Sequence, residues 1–328
     1  MKTFTKYFAV IMLSLFVLTA CEDDSYVAPA QDDLQNTADV LETYDQEVEF
    51  DEATTDENGR RWGRKRRKER VTFFTLTSAL IRTGLIKTVA TEELTVFAPT
   101  DAAFAKLGIN PWNVWKVPNL KEILLYHVVG GKVFSTDLSN GFVPTVNGAA
   151  VEINLDGGVF VNDAQVIKAD IRTKNGVIHA INNVLLPPTE NIVEIAAGNE
   201  NFSILVEAVS RVNLVGALSG DDQLTVFAPT NDAFVALLGE LGATSLDDID
   251  DETLTAVLLY HVVPGRVYSS DLAQDLEVGT LNGGTFTVDL GNLALIDANE
   301  RSAGLVADLL NLQATNGVIH VIDRVILP

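Results

Sequence analysis

The chain of 328 residues contains one cysteine and four histidines. A single cysteine excludes an intramolecular disulfide framework and a cysteine-based metal cluster. Each histidine lies in a stretch that occurs twice, so none marks a unique reactive centre; they are His127, His179, His261 and His320. The sequence also lacks a Gly-x-Ser-x-Gly elbow, a His-Glu-x-x-His helix, a phosphate loop and a dinucleotide fingerprint. We therefore predict a protein that is not an enzyme and that has no metal or cofactor.

Positive charge is scarce and unevenly placed in a chain whose formal net charge is −22. Residues 22–57 hold fourteen acidic residues and no lysine or arginine, whereas residues 60–70 supply eight bases. Residues 71–188 are balanced, and residues 189–328 carry 21 acids against four bases. Because so acidic a surface repels polyanions, we expect neither a nucleic-acid partner nor direct binding to anionic lipid.

Three stretches occur twice in the same order. Residues 95–104 return as 225–234, residues 126–129 as 260–263, and residues 175–179 as 316–320. The copies lie 130 to 141 residues apart, a spacing that corresponds to a whole domain with its own core. The chain is therefore a tandem duplication, with predicted domains at 71–188 and 189–328.

The stretch Thr-Val-Phe-Ala-Pro-Thr of each copy predicts a buried strand that a proline ends. The second Thr is then the N-cap of a helix whose Phe104 or Phe234 points back into the core. Apolar spacing predicts further helices over 73–88 and 120–129, the second capped by Asn119. The Asn-Gly pairs at 175–176 and 316–317 predict a residue with positive φ before a central strand.

The first twenty residues are typical of a signal peptide, with two lysines before a short apolar run. They end in Leu18-Thr19-Ala20-Cys21, which resembles the bacterial lipobox. That resemblance implies cleavage before Cys21, lipidation of Cys21 and a place outside the inner membrane. The acids Glu22-Asp23-Asp24 resemble the surface-export signal of lipoproteins in some Gram-negative bacteria, which implies the outer membrane or the cell surface. An ordinary secretory signal with a chance cysteine is the alternative.

Residues 21–70 are predicted to be a lipidated, disordered tether, acidic and then basic. The basic run at 60–70 has two interpretations. It is either a patch for nucleic acid or anionic polysaccharide, or part of a solvated linker whose acidic and basic halves neutralise each other.

Trp112 and Trp115 lie in a proline-bounded loop, residues 108–118, that has no close match in the second copy. Two tryptophans in such a loop form either a stacking surface for a sugar or protein, or a cover over the edge of a core. The acid-rich residues 245–252 lack the ligand order of an EF-hand and are better explained as caps at a helix start.

The three repeated motifs, in this order and spacing, resemble fasciclin domains. The resemblance implies an α+β fold of two tandem fasciclin-like domains, each a twisted β-wedge or sandwich with several packed helices. It also implies extracellular adhesion, with receptor contacts in animal members at a Tyr-His pair and an Asp-Ile pair. Matching positions here are Tyr126, His127, Asp170, Ile171, Tyr260 and His261, and in the second copy Asp308-Leu309 is the expected replacement for Asp-Ile.

The helical position of each Tyr-His pair offers a second interpretation, in which the histidine is a buried hydrogen-bonding residue rather than a ligand. The favoured function is a lipid-anchored extracytoplasmic adhesion or binding protein acting through surface contacts of both domains. The alternatives are a glycan-capture accessory protein that uses the tryptophan loop, and a structural spacer. The partner is an unidentified surface protein or polysaccharide, the membrane is reached only through the lipid anchor, and the sequence does not set the oligomeric state.

Overall fold

The structure is a computed structural model that describes residues 34–55 and 61–328. The predicted signal peptide at 1–20 and the predicted lipidation site Cys21 lie outside the described residues. Within the described ranges, no helix is long and apolar enough to cross a bilayer.

The elements fall into an N-terminal segment and two copies of one plan. The N-terminal segment forms α1 (Thr37–Thr43), β1 (Gln46–Thr55) and β2 (Arg61–Val71). The first domain continues with α2 (Phe74–Thr83), α3 (Ile86–Thr91), β3 (Leu94–Pro99), α4 (Asp101–Lys106), α5 (Leu120–Tyr126), β4 (Val128–Gly130), β5 (Gly141–Pro144), β6 (Ala150–Asn154), β7 (Phe160–Val161), β8 (Ala164–Arg172) and β9 (Gly176–Ile181). The second domain comprises α6 (Ile192–Ala197), α7 (Ser203–Arg211), α8 (Val215–Leu218), β10 (Leu224–Pro229), α9 (Asn231–Leu241), α10 (Asp251–Tyr260), β11 (Val262–Pro264), β12 (Glu277–Gly279), β13 (Thr285–Asp289), β14 (Ala294–Ile296), β15 (Ser302–Gly304), β16 (Leu312–Ala314) and β17 (Gly317–Ile322).

Both domains centre on a parallel pair of buried strands. In the first, β3 and β9 place Phe97 beside His179, within a sheet of order β4-β3-β9-β8-β7-β6-β5. In the second, β10 and β17 place Phe227 beside His320, and the other strands divide between the sheets β11-β10-β17-β16 and β12-β13-β14-β15. A parallel pair needs a long crossover, so most of each domain lies between its two central strands in sequence.

Each parallel pair carries a core on both faces. Val96 and Ile178 pack against α2, α4 and α5 on one face, and Phe97 and Ile181 pack against β6 and β7 on the other. The second domain repeats both cores. Strands buried on two faces have continuous apolar runs, which is what the repeated motifs contain. The predicted α+β class with two tandem domains is confirmed.

The duplicated Thr-Val-Phe-Ala-Pro-Thr stretch has the structure that its residues predict. Thr100 accepts a hydrogen bond from the N–H of Ala103 at 3.1 Å, and Thr230 caps α9 in the same way. Phe104 and Phe234 are fully buried in the helix-side cores. The stretch is therefore a folding signal in both copies.

The Asn-Gly pairs need glycine for a reason other than the predicted one. Neither Gly176 nor Gly317 has a positive φ, so the prediction of a left-handed residue is wrong. A Cβ on Gly176 would lie 2.2 Å from the carbonyl oxygen of Leu94, and one on Gly317 would lie 2.0 Å from that of Leu224. Glycine therefore permits the parallel strands to approach each other at their first residues.

Two predicted helices are shorter than their apolar patterns suggested. The predicted helix over 73–88 divides into α2 and α3 because Gly84, with φ 76°, ends α2 in the left-handed conformation. The predicted helix over 120–129 ends at Tyr126 because Val128–Gly130 pairs with β3 instead. Asn119 precedes α5 with φ 52° and makes no side-chain cap, so that prediction is also wrong.

Helix α1 belongs to the first domain and not to a tether. The N–H of Thr37 donates to Oδ1 of Asn175 at 2.9 Å, as the N–H of Ile192 donates to Oδ1 of Asn316 at 3.0 Å. Leu41 on α1 is buried in the first domain's core. Since α1 and α6 are equivalent, the first copy begins upstream of residue 71.

Strands β1 and β2 form an antiparallel hairpin between α1 and α2, where the second domain has only residues 198–202. The acidic strand faces the basic one, with Glu47 opposite Arg70 and Glu49 opposite Lys68. Diagonal ion pairs join Arg66 to Glu49 at 3.5 Å and Lys68 to Glu47 at 3.7 Å. Opposite charges at cross-strand positions stabilise a hairpin.

The prediction of a disordered tether over residues 21–70 is therefore wrong for the described part of that segment. Besides its charge pairs, the hairpin has apolar contacts, since Val48 is buried and Phe50 packs against the first domain's core. Of the two interpretations of the basic run, mutual neutralisation of acidic and basic halves agrees with this pairing, but it takes place within a folded hairpin.

A narrow apolar recess lies between α6, α7 and α8 in the second domain. Its volume is about 40 Å³, and its lining includes Ala196 and Val209. The equivalent helix positions of the first domain hold Leu41 and Leu80, both buried. The smaller side chains of the second copy account for the unfilled volume.

We expect Ala196→Leu to raise the free energy of unfolding of the second domain by about 1 kcal/mol, since cavity volume costs roughly 24 cal/mol per Å³. Ala208→Leu is the matched control. Ala208 is completely buried but lies outside the recess, so the larger side chain should destabilise the domain. Urea unfolding of both variants measures the effect, and a loss of stability in Ala196→Leu would contradict the explanation.

Candidate binding surface

The Tyr-His pairs lie inside the domains. Tyr126 and His127 are 2% and 1% exposed. The Tyr126 hydroxyl donates to the carbonyl oxygen of Ala150 at 2.8 Å. Nε2 of His127 accepts from the N–H of Leu185 at 2.9 Å, so the Nδ1 proton is the one donated to the carbonyl oxygen of Ile123, at 2.7 Å. The interpretation of His127 as a buried hydrogen-bonding residue agrees with these contacts.

The second copy repeats this arrangement. His261 binds the carbonyl oxygen of Val257 through Nδ1 at 2.8 Å and accepts from the N–H of Ile326 through Nε2 at 3.1 Å. Tyr260 is fully buried, and its hydroxyl donates to the carbonyl oxygen of Thr285. Because both Tyr-His pairs are buried inside the folded domains, a macromolecular partner would reach neither of them.

The Asp-Ile pair serves a backbone turn. Asp170 has φ 57°, and its carboxylate accepts from both the N–H and the hydroxyl of Ser135, at 2.8 and 2.5 Å. Ile171 is buried at 9% exposure. Asp170 therefore fixes the loop between β4 and β5 to strand β8, and its side chain is only partly exposed.

The counterpart of Asp170 in the second copy is Asn311 and not Asp308. Asn311 also has φ 57°, and its side chain binds the N–H and the hydroxyl of Ser269, each at 2.7 Å. Its N–H donates to Nδ1 of His320, as the N–H of Asp170 donates to Nδ1 of His179. The prediction that Asp308-Leu309 replaces the pair is wrong, because an amide satisfies the same turn without a charge.

The surface that departs from this shared skeleton is the tryptophan loop. Trp112 is 84% exposed and Trp115 is 55% exposed. The loop is ordered from within: Asn110 accepts from the N–H of Trp112 at 3.0 Å, and Asn113 accepts from the N–H of Asn110 at 2.7 Å. Nε1 of Trp115 donates to the carbonyl oxygen of Trp112 at 2.8 Å. The Trp112 backbone and the Trp115 indole are thus held in place. Neither tryptophan is buried, and Val114 between them packs into the core instead.

The tryptophan loop continues onto the outer face of α2. Ser78 and Arg82 of that helix line a cleft of about 370 Å³ together with Pro111, Val114 and Trp115. Phe74 and Ile81 flank Ser78 on the same helix face and are 54% and 62% exposed. We name the four exposed apolar residues Phe74, Ile81, Trp112 and Trp115 the aromatic platform.

The second domain has no such platform at the equivalent place. Ser203 and Ser210 of α7 occupy the positions of Phe74 and Ile81. The loop before α10 is acidic, and its carboxylates cap backbone N–H groups, such as that of Thr253, which donates to Asp250 at 2.9 Å. The capping interpretation of these acids is confirmed. Within residues 34–55 and 61–328, no group of three or more His, Cys, Asp or Glu residues could hold a metal ion.

The sequence predicts Trp112 and Trp115 as site residues but not Phe74, Ile81 and Arg82. The apolar spacing that predicts the helix over 73–88 is that of its core face, and it carries no signal for residues on the opposite face. Phe74 and Ile81 are separated by two helical turns, and serine replaces both in the second copy. A comparison of the two internal copies would have found them.

The two domains meet through the far end of the first domain's sheet. Phe142 of β5 stacks on Tyr268, with ring centroids 4.6 Å apart and planes 8° apart. The N–H of Ala150 donates to the Tyr268 hydroxyl and to Oε1 of Gln313, both at 3.1 Å, and Nε2 of Gln313 donates back to the Ala150 carbonyl at 2.8 Å. This contact involves neither the aromatic platform nor the cleft beside it.

Buried imidazoles give the fold a pH dependence. Burial lowers the pKa of His127 and of His261 from 6.5 to about 4. The unfolded chain binds protons at these residues below pH 6.5 and the folded chain does not, so stability is lost as pH falls. We expect each of these two histidines to lower the free energy of unfolding by about 3 kcal/mol as the pH falls from 6.5 to 4.

Urea unfolding at several pH values between 7 and 4 measures this slope. The variant His127→Gln lacks one of these imidazoles, so its unfolding should take up about one proton fewer between pH 6.5 and pH 4, and the free energy of unfolding should depend less steeply on pH. Only this pH dependence is compared, since the substitution also changes the stability at pH 7. An unchanged slope in that variant would contradict the assignment.

The comparisons with known proteins agree with this internal symmetry. The fasciclin-domain family model matches residues 71–187 and 200–328. The protein sll1483 of Synechocystis is 47% identical over 139 residues, which is 42% of this chain and 73% of that protein. The transforming growth factor-beta-induced protein ig-h3 of Sus scrofa is 31% identical over 248 residues, or 71% of this chain, which spans only 34% of ig-h3.

Among solved structures, a domain pair of the insect cell adhesion molecule fasciclin I is 18% identical with a TM-score of 0.38, over 77% of this chain and 96% of that one. Since the family model matches both copies, over more than half of the chain, this protein belongs to the fasciclin-domain family.

Proposed function

We propose that this protein is an extracytoplasmic adhesion or binding protein that acts through non-catalytic contacts of its first domain. The observation that carries the proposal is the aromatic platform, with Trp112 84% exposed on a loop that its own hydrogen bonds hold in place. Exposed apolar patches of this kind mark interaction sites, and tryptophan is enriched among residues that dominate binding energy. A fixed loop also loses little entropy on binding.

The proposal assigns different roles to the two domains. The first domain supplies the contact surface, and the second, which has serines in place of Phe74 and Ile81, supports it from the far side of the sheet. The sequence alone predicts surface contacts of both domains, and the proposal assigns those contacts to the first. The Tyr-His and Asp-Ile positions then serve the fold, because they are buried or bound to their own backbone.

We also propose that the protein is held at the outer membrane through a lipid on Cys21. Helix α1 begins at Thr37, so residues 22–36 connect the first domain to Cys21. At about 3.3–3.6 Å per residue, such a stretch reaches about 50 Å at most. The platform would then work close to the membrane surface, and the partner would have to come to the cell.

A second candidate function, glycan capture, is favoured by one observation. Both tryptophans expose large parts of their rings beside an open cleft, and an exposed ring offers a face on which a sugar can stack. Adhesion to a protein surface and capture of a glycan use the same platform. They differ in the ligand, which the experiments below separate.

We expect Trp112→Ala to weaken attachment by about thirtyfold, the effect of losing roughly 2 kcal/mol at an interface centre. Beads coated with the mature protein are applied to cells of the producing bacterium and detached under graded flow. Leu241→Ala is the matched control, since Leu241 is 58% exposed in the second domain. Equal attachment by wild type and Trp112→Ala would contradict the platform, and no attachment by wild type would favour a spacer.

A further inference from the structure

The two domains carry one arginine at an equivalent position. Arg82 lies in the last turn of α2, and Arg211 in the last turn of α7. Each is followed two residues later by a left-handed residue, Gly84 with φ 76° and Asn213 with φ 59°. Both side chains therefore start from the same backbone geometry, next to a loop that is aromatic in the first copy and acidic in the second.

In the second domain, that loop satisfies the arginine completely. Arg211 donates to the carbonyl oxygens of Leu246 and Ile249 at 2.6 and 2.8 Å. It also pairs with the carboxylate of Asp251 at 2.7 Å and lies 3.8 Å from that of Asp247. The guanidinium at this position is thus a carboxylate-binding group whose carboxylates come from its own chain.

In the first domain, the same arginine has no carboxylate. The loop at 108–118 contains no acidic residue, and among the described residues none forms an ion pair or hydrogen bond with Arg82. Arg82 is exposed at the cleft that Pro111 and Trp115 also line. Lys116 of the same loop is a second cation, with its Nζ 5.2 Å from the centre of the Trp115 ring.

We propose that this cleft binds a carboxylate-bearing polysaccharide, such as a polymer of uronic acids. Arg82 would pair with a sugar carboxylate, as Arg211 pairs with Asp251, while a pyranose ring stacks on the exposed indoles. The inference rests on the proposed role of the aromatic platform and names its ligand. A cleft of about 370 Å³ falls in the size range of small-ligand sites, which is enough for part of a polymer chain.

Charge elsewhere in the molecule directs such a polymer to the first domain. Residues 189–328 carry 21 acids against four bases, so the second domain repels a polyanion. Four bases of β2 form ion pairs with acids, as in the contact of Arg67 with Glu52 at 2.7 Å, which lowers the charge that this strand offers to a polyanion. Among the described residues, Arg82 and Lys116 have no such carboxylate partner, so both are available to an acidic sugar.

The experiment compares two probes that differ only in charge: tetragalacturonate and its methyl-esterified form. Titration calorimetry uses the mature protein with both domains. We expect the wild type to bind tetragalacturonate at least tenfold more tightly than the ester. Arg82→Gln should remove that preference and leave affinity for the ester unchanged, whereas Trp112→Ala should weaken binding of both probes.

Lys87→Gln is the matched charge control, since Lys87 is exposed on α3 and does not line the cleft. It should retain the full preference for the acid. Equal affinity of wild type for the two probes, equal loss in Lys87→Gln and Arg82→Gln, or equally tight binding of an oligoglutamate would each overturn the inference. If neither probe binds but Trp112→Ala still abolishes attachment to cells, the uronate assignment is wrong and the platform has a protein ligand.

Discussion

In each domain, one asparagine amide joins the first helix, a later helix and the last strand. Nδ2 of Asn175 donates to the carbonyl oxygens of Val89 and Glu92 at the end of α3, and Oδ1 accepts from the first N–H of α1. Asn316 makes the same set of contacts with α8 and α6. The glycine after each asparagine has no Cβ, so the last strand can lie close against β3 or β10. The asparagine contacts and the parallel strand pair therefore depend on each other. An amide that satisfies three backbone groups is costly to replace, so the rest of the fold is arranged around it.

The rim of each domain is free of that constraint, and there the copies diverge. A charged hairpin enters the first copy between α1 and α2 and remains stable because its two strands neutralise each other. The loop before the last helix is acidic in the second copy, where it holds Arg211, and aromatic in the first, where Arg82 faces solvent. One backbone position thus gives a structural ion pair in one domain and a candidate ligand site in the other. The two copies share their central strands and helices and differ in their loops, which is where binding residues are often found.

Sequence reasoning succeeded where a local rule and the core demanded the same residue. Thr100 as an N-cap and Phe104 as a buried anchor both follow from neighbouring residues. It failed where a distant contact decided. Gly176 is required by the carbonyl of Leu94, and α1 is ordered by an asparagine 138 residues away from Thr37. The composition of an acidic segment followed by a basic one does not show whether the two segments will pair as β-strands.

The sequence alone determined that the chain is a duplication, that each copy is an α+β domain of the fasciclin type, and that Trp112 and Trp115 stand apart from the repeat. These properties can be predicted from short stretches of sequence, because strand burial, capping and turns depend on neighbours within a few residues. Only the tertiary structure decided that the Tyr-His pairs are buried, that residues 37–55 and 61–71 are folded, and that Arg82 lies beside the tryptophan loop without a carboxylate. The reason is that burial and charge pairing depend on residues far apart in the chain, which come together only when the parallel strands close each domain.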